Sequence, residues 1–62
     1  MNWELYEVWS VDTDGHEDLI DTTKSLKEAR AIARDNVTDY YAECIIYRED
    51  ENGELIEVER IK

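Results

Sequence analysis

The 62-residue sequence predicts an α+β fold: a single β-β-α-β-β domain over residues 1–62, with a four-stranded, mostly antiparallel sheet and one helix packed on one face. Three observations predict it. Residues 7–21 and 45–57 share a layout of a β-prone run, an Asp-x-(Asp/Asn)-Gly turn and an acidic-Leu-Ile-acidic segment. Both turns place glycine between apolar runs, the strongest local hairpin signal, because glycine takes positive φ without steric cost. Between the two hairpins lies one stretch of helical periodicity.

The elements follow in order. The first strand is predicted over 3–11 and the second over 17–22, joined by Asp12-Thr13-Asp14-Gly15. Ser25-Leu26-Lys27-Glu28 fits a capping box, in which the serine hydroxyl accepts from the Glu28 amide and the glutamate reaches back. Leu26, Ala29, Ile32, Ala33 and Val37 then form one apolar stripe, opposite Lys27, Glu28, Arg30, Arg34 and Asp35. Asn36 is expected to close the helix in the left-handed conformation, with Val37 over the last turn. Strands over 41–49 and 54–61 complete the chain around Asp50-Glu51-Asn52-Gly53.

A three-residue turn with glycine at its last position pairs Asp12 with His16 and Asp50 with Glu54. Continued regularly, that register sets Trp9 opposite Leu19, Val8 opposite Ile20, Ile46 opposite Val58 and Tyr47 opposite Glu57. A two-residue turn would instead pair Val8 with Asp21 and Ile46 with Glu59. The three-residue register matches apolar to apolar more often and is preferred. It gives the sheet two unlike faces. Tyr6, Val8, Ile20, Ala42, Cys44, Ile46, Ile56 and Val58 suit a short helix. The other face carries Trp3, Leu5, Glu7, Trp9, Val11, Leu19, Tyr41, Glu43, Ile45, Tyr47, Leu55, Glu57, Glu59 and Ile61, which one helix cannot also cover.

Seventeen acidic residues against seven basic ones give a formal charge of −10. That repels nucleic acid and anionic membrane surfaces and leaves basic partners as the counterpart. Such charge with low apolar content often signals disorder, yet proline is absent and six aromatics supply apolar burial. A chain this short buries only ~60% of its unfolded surface, so neither a second domain nor a deep cavity is expected. Cys44 sits in an apolar run and reads as a small core residue, with no partner for an internal disulfide. Met1-Asn2-Trp3-Glu4 lacks the basic and apolar regions of a secretory signal, and no stretch approaches the ~20 apolar residues that span a bilayer. A cytoplasmic location is the expectation.

Catalytic and metal chemistry find little support. Ser10, Asp12, Asp14, Gly15, Asp18 and Asp21 imitate the spacing of an EF-hand calcium loop. Serine holds the first position, however, Glu17 stands where an apolar residue belongs, and Asp21 replaces the bidentate glutamate. One cysteine and one histidine do not make a zinc site, and no glycine-rich phosphate loop is present. The paired carboxylates Glu57 and Glu59, with Glu43 nearby, lack the cleft that would drive their pKa values apart. The chain is therefore expected to be non-enzymatic, without cofactor or metal.

The expected function is binding of a protein partner, basic or a second copy of the chain, through Trp3, Trp9, Tyr41, Tyr47, Glu43, Glu57 and Glu59. Tryptophan and tyrosine bury much area at little conformational cost. The alternative is a nucleic-acid mimic of phage or mobile-element origin, which would occupy the basic groove of a DNA- or RNA-binding protein with Asp12, Asp14, Asp50, Glu51 and Glu54 on the hairpin side of the domain. The element order resembles that of short β-β-α-β-β proteins of bacteria and phages, a likeness of layout that assigns no residue a role.

Overall fold

The computed structural model describes residues 5–38 and 41–62, with the backbone alone for Tyr41. The elements are β1 (Tyr6–Asp12), β2 (Glu17–Thr23), α1 (Leu26–Asn36), β3 (Tyr41–Glu49) and β4 (Leu55–Ile61). They form one antiparallel sheet in the order β2-β1-β3-β4. The expected β-β-α-β-β architecture is therefore present. Because β3 pairs with β1, the connection through α1 carries the chain from one edge across β1, and the helix lies over the two central strands.

Both turns have the expected three-residue form. The Asp12 amide donates to the His16 carbonyl at 3.0 Å and the Asp50 amide to the Glu54 carbonyl at 2.8 Å. Gly15 and Gly53 adopt φ of 89° and 83°, the conformation that only glycine takes freely. Aspartate supplies the rest of each turn. Asp12 Oδ1 accepts from the amides of Asp14 and His16, both at 2.9 Å, and Asp50 Oδ1 accepts from those of Asn52 and Glu54 at 2.8 and 2.9 Å.

Beyond the turns the register departs from regular continuation. Trp9 faces Leu19 as expected, but Val8 faces Asp21, so Ile20 is an extra residue in a β-bulge. The second hairpin repeats the device at the same distance from its turn: Tyr47 faces Glu57, Ile46 faces Glu59, and Val58 is extra. A third irregularity sets Asp12 opposite Tyr41 and leaves the exposed Ala42 unpaired with β1, off the core. The pairs Val8–Ile20 and Ile46–Val58 are thus corrected. The Val8–Asp21 and Ile46–Glu59 pairings of a two-residue turn coexist with three-residue turns, because each edge strand absorbs one residue. Bulges on edge strands increase local twist and limit the length over which a further strand could pair.

The bulges also decide the core. Val8, Ala29, Ala33, Cys44 and Ile46 are fully buried, with Tyr6, Leu26, Ile32, Val37 and Ile61 packed around them. Two alanines let α1 sit close to the sheet. Ile61 and Glu59, expected on the opposite face, lie on the helix side, where Glu59 receives the Arg30 guanidinium at 2.8 Å. Ile20, Ile56 and Val58, expected on the helix-covered face, are all exposed, because α1 lies mainly over β1 and β3 and meets the edge strands near Thr23, Glu59 and Ile61, away from their turns.

Both helix ends differ in detail from expectation. The Glu28 amide donates to Ser25 Oγ at 3.3 Å, as the capping box requires. The Glu28 carboxylate closes the box through a relay: it accepts from Thr23 Oγ1 at 2.7 Å, which in turn accepts from the Ser25 amide at 3.3 Å. Asn36 is not left-handed. Val37 caps the helix in an extended conformation, and Asn36 Nδ2 donates to the Ile32 carbonyl at 2.8 Å.

Candidate interaction surface

The face of the sheet away from α1 gathers the residues expected to bind. Cross-strand pairing lays them out in two rows, Leu19–Trp9–Ile45–Arg60 and Thr22–Glu7–Tyr47–Glu57. Ile45 is 2% exposed although no helix covers this side. Trp9 and Tyr47 lie partly buried beside it in an edge-to-face contact, ring centroids 6.3 Å apart. Such pairs contribute beyond the area they bury, and this one fixes the centre of the face.

Carboxylates hold the polar ends of both rings. Trp9 Nε1 donates to Glu7 at 2.9 Å, and the Tyr47 hydroxyl reaches across β1 to donate to Glu17 at 3.1 Å. Burial, then the bond to Glu17, pushes the Tyr47 phenol above its ordinary pKa. On the other half of the face one cation organises two acids. Arg60 Nη1 donates to Glu43 and Nη2 to Glu57, each at 2.8 Å, and Lys62 lies 3.9 Å from Glu43. The hydrogen bond from Arg60 holds the Glu57 carboxyl below its ordinary range and the guanidinium correspondingly above its own.

Trp9, Tyr47, Glu43 and Glu57 thus meet on one face, as expected. Glu59 does not join them, because the Val58 bulge turns it to the helix side. Trp3 and the Tyr41 side chain lie outside the described residues. Sequence reasoning missed Arg60, which regular alternation would have placed with the helix; only the bulge brings it to this side. It also stressed the aromatics over the aliphatic corners. Leu19 on β2 and Leu55 on β4 are 49% and 46% exposed and flank the aromatic centre on this face.

The acidic turns do not form one surface. β1 and β3 are antiparallel and each runs into its own turn, so the turns stand at opposite ends of the sheet. Seven residues of β1 at ~3.3 Å each separate them by on the order of 20 Å. Asp14 therefore lies far from Asp50, Glu51 and Glu54, and Asp12 is buried within its turn. One ligand atom from each of Asp12, Asp14 and His16 lies within 4.8 Å of the others. The geometry is that of the turn itself, with Asp12 Oδ1 already accepting two amides.

Cys44 is buried and its thiol is pushed up by desolvation and the neighbouring Glu43 charge, the setting of an inert core cysteine. Among the described residues no helix is long and apolar enough to cross a membrane. No protein-family model matches the chain, and no curated protein or solved structure does.

Proposed function

We propose that this chain is a non-enzymatic interaction domain that binds a basic protein surface through its helix-free sheet face. The observation that carries the reading is the combination on that face of exposed Leu19 and Leu55, a fixed aromatic centre and surrounding carboxylates. Apolar patches set among polar groups are characteristic of protein-binding surfaces. The chain charge of −10 selects a cationic partner and disfavours packing two copies face to face, which would bring like charges together. Acid–base catalysis is a poorer use of the face, since Glu43 and Glu57 share Arg60 and Glu57 is held ionised.

The test is capture from native lysate by the parent chain, by Leu19→Ser/Leu55→Ser and by Lys27→Ser on the helix. All three positions are exposed, so each change should alter stability within roughly 0.5 kcal/mol. The expected result is a basic protein retained by the parent and by Lys27→Ser but lost by the leucine double variant. Equal retention by all three chains would overturn the proposal.

A further inference from the structure

The two sheet edges are unequal in charge. On β4, Glu57 is held by Arg60 and Glu59 by Arg30. On β2, Glu17, Asp18 and Asp21 have no lysine or arginine partner among the described residues, and Leu19 and Ile20 stand exposed between them. The same asymmetry extends onto the helix-free face, where Glu7 beside Trp9 is also without a cation while Glu43 has two.

The backbone of β2 is available in the same place. Asp12 and His16 form a hydrogen-bonded pair, so the antiparallel alternation makes Ser10–Asp18 the next such pair. The amides and carbonyls of Glu17 and Leu19 therefore face away from β1. The Ile20 bulge ends this regular stretch, which limits it to a short partner segment.

We propose that β2 receives a short extended basic segment of the partner by strand addition at residues 17–19. The inference rests on the interaction reading above and specifies its mode. A strand added there places alternate side chains on the helix-free face. A lysine or arginine then meets Glu17, and an apolar residue two positions away meets Leu19. The recognised pattern is thus cation–x–apolar. Strand β4 offers exposed leucine, isoleucine and valine but no free negative charge to select the cation.

The probe is an acetylated, amidated hexapeptide alternating arginine and valine with threonine, added to the isotope-labelled full chain. Amide shift changes are expected to centre on residues 17–19. They should vanish with a peptide carrying glutamate for arginine, and with one N-methylated on its pairing edge. Glu17→Gln keeps an acceptor for Tyr47 while removing the charge, and should weaken binding by up to about fivefold, the upper end for an exposed ion pair. Absence of shifts up to about 1 mM peptide would overturn strand addition, as would shifts centred on β4 or α1, or equal binding of the N-methylated peptide. Any of these results leaves the leucine-dependent capture to be judged separately.

Discussion

Replacing Ile46 with alanine is expected to remove about half of the chain's folding stability. Ile46 is 0% exposed and packs with Val8, Cys44, Ala29 and Ala33 beneath the helix. Removing such a side chain costs about 2–5 kcal/mol in lost transfer energy and residual cavity. A domain of 62 residues holds only about 3–9 kcal/mol in total. Ile56 provides the control: at 48% exposure its replacement by alanine should change stability by no more than roughly 0.5 kcal/mol. Denaturant titration followed by circular dichroism separates the cases. Near-equal midpoints for the two variants would mean that the core does not centre where the packing puts it.

The second large effect is expected at the first turn. Asp12 and Asp50 make equivalent amide bonds, but Asp12 is 8% exposed whereas Asp50 is only partly covered. Asp12→Ala removes the acceptor of two turn amides and the buried carboxylate that holds them. It should lower the melting temperature by about 5–15 °C, and by more than Asp50→Ala does. The acid limb follows from the same contacts. The His16 amide, first among several causes, depresses the Asp12 carboxyl pKa from its ordinary 3.8, and Arg60 depresses that of Glu57 from 4.5. A depressed folded-state pKa means stability that is present above the ordinary value and lost as pH falls through the folded one. Stability should therefore decline as pH falls below about 4. Asp12→Asn, which retains the acceptor oxygen but not the charge, should show a shallower decline than the parent. Identical acid limbs would contradict the role given to this carboxylate.

Much of the fold was legible because its strongest signals are local. Gly15 and Gly53 fix the turns, and Ser25 with the apolar stripe from Leu26 to Val37 fixes the helix. The bulges were not legible. Ile20 and Val58 are among the exposed aliphatics of the edge strands, and a period of two contains no mark for one extra residue. Missing them misplaced Glu59 and Ile61 and concealed Arg60, all of which lie beyond the Val58 bulge. Trp9, Tyr47, Glu43 and Glu57 were placed correctly because Trp9 and Glu43 lie on the central strands and Tyr47 faces Glu57 on the turn side of that bulge. The aromatic pair also turns out to be partly structural. Its contact beside buried Ile45 makes Trp9→Ala a poorer probe of binding than Leu19→Ser, since loss of the ring disturbs the face as well as any contact with a partner.

The most direct test of the central claim is site-specific photo-crosslinking in native lysate. A photoreactive phenylalanine analogue is placed at Leu19 on the helix-free face or at Lys27 on the helix, both exposed positions. The account predicts a covalent adduct with a basic protein from position 19 and none from position 27. Adducts formed equally from both sites, from position 27 alone, or from neither would contradict the assignment of binding to this face.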